Sequence, residues 1–193
     1  MMKITVIGGG AAGMTCAILL ARAGKSVTIL ERGERLGKKL SATGNGQGNV
    51  TNTHMDACHY FSDDMDKVAR ILSRFSWQDT VAFLQSMGGI FLPDARGRVY
   101  PAGRQASAVT DLMRRELFRL GVQIITNARV SRLEPRHGLR AVWAGGSLSS
   151  DAVVLAAGGA AAKNFGTDGT AYALAQAFGH TVTPLSPVLV QLR

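Results

Sequence analysis

The sequence predicts an α/β fold, a doubly wound parallel sheet in three layers that carries a small antiparallel β-meander. Three observations carry this. Residues 1–31 read as strand, helix and strand. Four strand-like runs follow a helical pattern later in the chain. Glycine is in excess, 23 against five prolines in 193 residues, which marks turns where backbone approaches a ligand and not a low-complexity linker. Apolar residues make up 46% and charged residues 18%. No apolar tract reaches the ~18 residues of a membrane span, so the chain reads as soluble and globular.

The elements follow in order. Lys3 to Ile7 is a short apolar run that stops at Gly8-Gly9-Gly10, the pattern of a strand buried on both faces. Ala11 to Ala23 is rich in Ala and Leu, lacks Pro and stops at Gly24, as a helix with a left-handed C′ residue would. Ser26 to Leu30 is a second strand, and the three together form a β-α-β unit. Residues 32–53 hold five glycines among Lys, Asn, Thr and Gln with no periodicity, a long loop of the kind that is usually functional. Helical patterns cover Asp63–Ser73 and Ser76–Met87, the second with Ser76 as N-cap and Asp79 at N3. Ile90–Leu92 and Arg98–Tyr100 flank a turn-rich stretch and read as a hairpin.

Ser107 to Leu120 places Val109, Leu112, Met113, Leu117 and Leu120 at helical spacing, with Arg114, Arg115, Glu116 and Arg119 assigned to the solvated side. Val122–Thr126, Arg129–Glu134, Leu139–Ala144 and Ala152–Ala156 are strand-like, the middle pair forming the meander. Thr170 to Phe178 closes with a helix stopped by Gly179, and an extended segment starts at His180.

Gly8-Gly9-Gly10-Ala11-Ala12-Gly13 fits G-x-G-x-x-G. Alone the pattern is common; here it follows a strand and opens a helix, the context in which a helix N-terminus can take a pyrophosphate. Gly8 permits the tight turn, Gly10 admits the phosphates and Gly13 lets helix and strand pack closely. Glu31, at the end of the second strand, is placed to accept hydrogen bonds from a ribose diol. The fold is therefore Rossmann-like, and the motif serves FAD and NAD alike.

The net charge of +9 raises polyanions as partners. The surplus sits in two blocks: residues 1–50 carry seven basic and two acidic groups, and 101–150 carry eight and three. Neither block is a dense basic run interleaved with aromatics, so nucleic acid is not expected as a partner. Cys16 and Cys58 are far apart with no C-x-x-C, which fits a reducing cytoplasm and no disulfide scaffold. His54, Cys58 and His59 lack a second ligand cluster, so no metal is expected. No secretory leader pattern occurs at the N-terminus, and no membrane association is expected.

The Gly8–Gly13 turn, the loop from Gly37-Lys38-Lys39 through Gly44-Asn45-Gly46-Gln47-Gly48-Asn49-Val50-Thr51-Asn52, Arg98-Val99-Tyr100-Pro101, and Val153 to Gly159 together resemble the bacterial BaiN-type flavoproteins. These are NAD(P)/FAD-dependent oxidoreductases with aminoacetone-oxidase-like members. The resemblance covers essentially the whole chain and implies non-covalent FAD, a small-molecule substrate and NAD(P)H as a candidate electron donor. It implies that Gly8, Gly10, Ala11, Ala12 and Gly13 hold the pyrophosphate, and that Glu31 and Arg32 hold the adenosine ribose. Lys38, Lys39, Asn45 and Asn49 would lie along the phosphates, ribityl chain and flavin edge. Val130 would meet adenine through its backbone, Ala157 and Gly158 would end a strand beside the cofactor, and Asp168 would approach the ribityl side.

Two departures stand out. Gly46-Gln47-Gly48-Asn49 replaces the usual Gly-Arg-Cys-Asn, and Lys163-Asn164-Phe165 replaces a Tyr-Pro stretch. Family chains run to about twice this length, so 1–183 is expected to be an FAD-binding domain lacking its C-terminal return, with 184–193 starting a substrate domain. Three other functions compete: a cofactor-binding fragment without activity, a fumarate-reductase-like flavoprotein suggested by Thr167-Asp168-Gly169, and a nicotinamide-only dehydrogenase. No catalytic residue is identified, and neither substrate nor oligomeric state is legible.

Overall fold

The structure, a computed structural model, describes residues 1–161 and 163–186. Along the chain run β1 (Lys3–Ile7), α1 (Ala11–Arg22), β2 (Ser26–Leu30), β3 (Thr51–Asn52), α2 (Met65–Arg74), α3 (Trp77–Gln85), β4 (Phe91–Pro93), β5 (Arg98–Pro101), α4 (Ala106–Arg119), β6 (Gln123–Ile125), β7 (Arg132–Arg136), β8 (Gly138–Trp143), β9 (Gly146–Ser150), β10 (Ala152–Leu155) and α5 (Thr170–Gln176). They divide into two compact units, one built from residues 1–38 with the segment from Leu117 onward, the other from Lys39–Glu116.

The first unit is the predicted α/β body. Its sheet is parallel in the order β10-β1-β2-β6, which places the first strand centrally, as a doubly wound fold requires. Val6 lies opposite both Val154 and Ile29, and Ile7 opposite Leu155 and Leu30. Ile7 and Leu30 pack with Ala128, Val130, Ala141 and Leu174, against which Leu133, Trp143 and Leu148 also rest. The meander and α5 thus cover one face. By alternation Ile4, Val6, Val27 and Ile29 face the other side, where α1 packs on β1 and β2. Met14, Ala17 and Ile18 of α1 are fully buried. The three layers are therefore helix, parallel sheet and antiparallel meander.

Strand boundaries in the second half differ from the sequence reading. The run expected from Arg129 becomes a strand only at Arg132, because Ala128 N–H donates instead to Glu31 O at 2.8 Å, tying this stretch to the end of β2. Pro135, expected to break the chain, lies inside β7 opposite Leu139, which an edge strand tolerates. β9, unpredicted in the polar sequence GSLSS, pairs with β8 along its length, so the meander has three strands rather than two. No strand forms over 180–186. The expected start of a further domain at 184–193 falls mostly on residues 187–193, which lie outside the described residues.

In the second unit β3, β5 and β4 form an antiparallel sheet. The hairpin expected around residues 90–100 is β4–β5, closed by Asp94, whose carboxylate takes the Arg98 guanidinium at 2.7 Å. α3 has the expected cap: Ser76 Oγ accepts from Asp79 N–H, and the Asp79 carboxylate accepts from Ser76 N–H at 2.7 Å. α4 corrects one assignment. Glu116 is buried, because it stands four residues after Leu112 and beside Leu117, on the apolar stripe. The loop read without periodicity is ordered by its own backbone bonds: Gly46 and Gly48 N–H both donate to Thr43 O at 3.0 Å, and Gly46 O accepts from Ala106 N–H at 2.7 Å.

Ile29 is wholly buried and Ile71 on α2 is 58% exposed. Urea denaturation is expected to show Ile29→Ala losing about 2–5 kcal/mol and Ile71→Ala staying within about 0.5 kcal/mol of the parent chain.

Candidate functional site

The carboxyl ends of β1, β2 and β10 converge on the glycine turn, at the point where strand order reverses. Gly8 N–H continues the sheet by donating to Leu30 O at 2.8 Å. Its φ of +104° is a left-handed conformation, and a Cβ there would lie 2.6 Å from Ala157 Cα. The backbone of Ala156 and Ala157, with Gly158 beyond it, is thus pressed against the turn. A Cβ on Gly13 would collide with Gly8 O, so the first turn of α1 sits directly on the end of β1.

Gly10 is different. It has φ −78° and ψ −171°, which any residue adopts, and a Cβ there would meet nothing within 4 Å. The fold requires glycine at 8 and 13, while the space beside Gly10 is open. Gly10 is also the N-cap of α1 and offers no side-chain oxygen to the helix. The leading amides of Ala11, Ala12 and Gly13 lie where a helix has no backbone acceptor for them, and point positive charge outward. These features fit a pyrophosphate.

Glu31 anchors this turn. Its Oε2 accepts from Gly9 N–H at 2.6 Å and its Oε1 from Gly33 N–H at 2.7 Å. A carboxylate has about four acceptor positions, so each oxygen retains capacity for a further donor. Asn127, with φ +54°, donates its N–H to Gly33 O at 2.9 Å. The chain then passes Ala128 to Val130, whose side chain is buried against Ile7 and Leu30.

Arg32 follows Glu31 and crosses the turn before α5. Its Nη1 donates to Gly166 O at 2.7 Å and meets Asp168 Oδ2 at 2.8 Å. Arg129 Nη2 reaches the same oxygen at 2.9 Å. Hydrogen bonds from Thr170 and Arg32 hold the Asp168 carboxyl well below the usual carboxylate range. The sequence reading brings Arg32 and Asp168 to the site but omits Arg129, for which the only signal is its place just after a left-handed Asn. Partial burial pushes the Cys16 thiol up, consistent with a neutral packing residue in α1.

Of the expected residues, Gly8, Gly10, Ala11, Ala12, Gly13, Glu31, Arg32, Val130, Ala157, Gly158 and Asp168 all belong to the first unit, as does Lys38 at its boundary. Lys39, Asn45 and Asn49 belong to the second unit and are exposed. Asn45 is left-handed at φ +53°. Gly48, at φ +76°, has no room for a Cβ beside Ala106 Cα, which accounts for glycine at a position where the resembled family has cysteine. Sequence reasoning also misses Arg104. It is left-handed at φ +47°, lies 4.7 Å over the Tyr100 ring and donates to Gln47 Oε1 at 3.2 Å.

Among the described residues no helix is long and apolar enough to cross a membrane. A family model described as the HI0933-like protein Rossmann domain matches residues 2–189. The chain is 42% identical over 196 aligned positions to the 3-dehydro-bile acid delta(4,6)-reductase of Clostridium scindens, covering 100% of this chain and 48% of that protein. It is 28% identical to a ribosomal RNA dihydrouridine synthase of Haemophilus influenzae, covering 96% and 47%. The chain therefore spans about half the length of the curated relatives it matches. Among solved structures, a flavocytochrome c3 fumarate reductase in its open conformation superposes with TM-score 0.61 at 23% identity, over 82% of this chain and 34% of that one, a likeness of fold.

Gly13→Ala is expected to lower stability by about 1–3 kcal/mol through overpacking, and Gly10→Ala to leave it within about 0.5 kcal/mol, both read by thermal melting without added ligand. The folded-state value of Asp168 is depressed, so its ion pairs stabilise the fold at neutral pH and that contribution is lost as pH falls below the ordinary carboxylate range. Exposure keeps the energy small. A carboxyl NMR titration should therefore place Asp168 below the other exposed aspartates, and Arg32→Gln should move it upward.

Proposed function

The chain belongs to the HI0933-like Rossmann-domain family, and from that premise we propose that it is an FAD-dependent oxidoreductase that holds its flavin non-covalently and acts on a small organic substrate. The observation that carries the reading is the open space at Gly10 before the uncapped helix, where glycine is explained by a ligand and not by the fold. The amides of Gly10, Ala11, Ala12 and Gly13, with the turn at Gly8, would hold the pyrophosphate. Glu31 would accept from the adenosine ribose with Arg32 beside it, and the backbone at Val130 would meet adenine. Ala157 and Gly158 would border the cofactor, and Asp168, which the resemblance sets on the ribityl side, would belong to the same site. Lys38, Lys39, Asn45 and Asn49 would serve the phosphates, ribityl chain and flavin edge.

Bound FAD would supply the transfer of a hydride or electron pair, leaving orientation and electrostatics to the protein. Lys38 and Lys39 would place positive charge where electron density gathers on reduction, which favours uptake of electrons. The relatives are named as a reductase and as dihydrouridine synthases, names that denote a gain of hydrogen by the substrate. They support reduction of the substrate, and we assign NAD(P)H as the candidate donor. We place this work in the cytoplasm, where two distant cysteines with no C-x-x-C fit a reducing compartment.

A second reading has specific support. Two relatives are named ribosomal RNA dihydrouridine synthases, and the chain carries a net charge of +9. An RNA base would then replace the small molecule as substrate. The low aromatic content, 6%, and the split basic blocks favour the small molecule.

Purified protein should be yellow, or turn yellow with added FAD, and release free flavin on denaturation. Gly10→Ala should weaken FAD binding about tenfold or more, a loss of one or two charge-assisted hydrogen bonds, with an unchanged melting temperature in the absence of ligand. Protein that stays colourless with FAD but binds NADPH would select a nicotinamide dehydrogenase instead. Salt-sensitive binding of a ribosomal RNA fragment would move the substrate from a small molecule to RNA.

A further inference from the structure

Arg129 is absent from the residues that the family resemblance singles out, yet it shares an oxygen with Arg32. Arg32 leaves the carboxyl end of β2 beside Glu31, Arg129 follows β6 beside Val130, and Asp168 stands two residues before α5. Asp168 Oδ2 takes Arg32 Nη1 at 2.8 Å and Arg129 Nη2 at 2.9 Å. Its other oxygen, Oδ1, takes Thr170 Oγ1 at 2.6 Å and Thr170 N–H at 3.2 Å. Four donors fill the roughly four acceptor positions of a carboxylate. In this arrangement Asp168 has no capacity left for a hydroxyl of a ligand.

Two guanidiniums at one point repel each other, and the single carboxylate reverses that balance. The cluster keeps a net charge of +1 from two arginines and one aspartate, next to the carboxylate predicted to hold the adenosine ribose. We propose that Asp168 acts on the dinucleotide through Arg32 and Arg129, and not by the direct approach to the ribityl side that the family resemblance implies: it is a positioning residue that fixes a two-guanidinium site at the adenosine diphosphate end, with Arg129 as a binding residue. This rests on the FAD reading above. Side chains of Arg32, Arg129 and Asp168 are 31%, 63% and 29% exposed. Ion pairs this open contribute little to folding, so the cluster's effect should appear in affinity and not in stability.

The test is a set of FAD dissociation constants, measured by flavin fluorescence, for the parent chain and for Asp168→Asn, Asp168→Glu, Arg129→Gln, Arg32→Gln/Arg129→Gln and the triple variant. Asp168→Asn should weaken FAD about tenfold and Arg129→Gln about threefold, sizes within the coupling range of contacting residues. In the background lacking both arginines, Asp168→Asn should cost less than about twofold, and Asp168→Glu should restore most of the affinity in the parent background. Melting temperatures without FAD should stay within about 2 °C throughout. A tenfold loss that persists without the arginines would mean direct contact by Asp168 and would overturn the inference alone, as would an Asp168→Asn variant that binds like the parent. A parent chain that binds no FAD overturns the FAD reading and this inference with it.

Discussion

A Cβ at position 13 would collide with the carbonyl oxygen of Gly8, and the first unit depends on that contact being free of one. Because helix and strand backbone touch there, α1 begins immediately after β1, and its leading amides lie at the edge of the sheet. The same closeness brings Ala156 and Ala157 at the end of β10 against Gly8. Three elements separated by up to about 150 residues thus meet at a point that no side chain can enter. The cost of glycine, about 1 kcal/mol per residue in chain entropy, is offset by the burial of Met14, Ala17 and Ile18 beneath α1.

From this point the site extends by charge. Glu31 fastens the turn to β2 through Gly9 and to the following loop through Gly33. Beyond it, Arg32, Arg129 and Asp168 link the ends of β2 and β6 to the start of α5. The first unit thus carries the N-terminus of α1, two guanidinium groups on one aspartate and, in Glu31, a carboxylate whose two oxygens each accept one backbone N–H. Two of the chain's basic groups, Arg32 and Arg129, are thus gathered on the single carboxylate of Asp168.

The second unit follows another constraint. The 43–48 loop repeats left-handed backbone at Gly44, Asn45, Gly46 and Gly48, and these residues turn it back onto its own carbonyls and onto the first residue of α4. Gly48 lies against Ala106 with no space for a side chain. At position 47 an uncharged Gln takes a guanidinium from Arg104. A departure from the family pattern that reads as a lost charge thus brings an arginine from the 101–105 turn to the same loop.

The sequence by itself determined the β-α-β start, the glycine motif with its acidic partner, the Ser76 cap and the meander's existence. Those features depend on residues close in the chain, where spacing and propensity decide the outcome. Tertiary structure decided what spacing cannot express. Backbone donors with no side-chain signature recruited GSLSS as a third meander strand and held Ala128 to Glu31 at the end of β2 instead. Helical phase buried Glu116 on a stripe that residue type alone assigns to solvent. The pairing of Arg32 and Arg129 on Asp168 joins residues 39 to 136 positions apart, and no local pattern encodes such a meeting. The distinction between Gly8 and Gly13, required by contact, and Gly10, beside open space, emerged only once neighbouring atoms were in place, because three glycines in one motif look identical until something stands next to them.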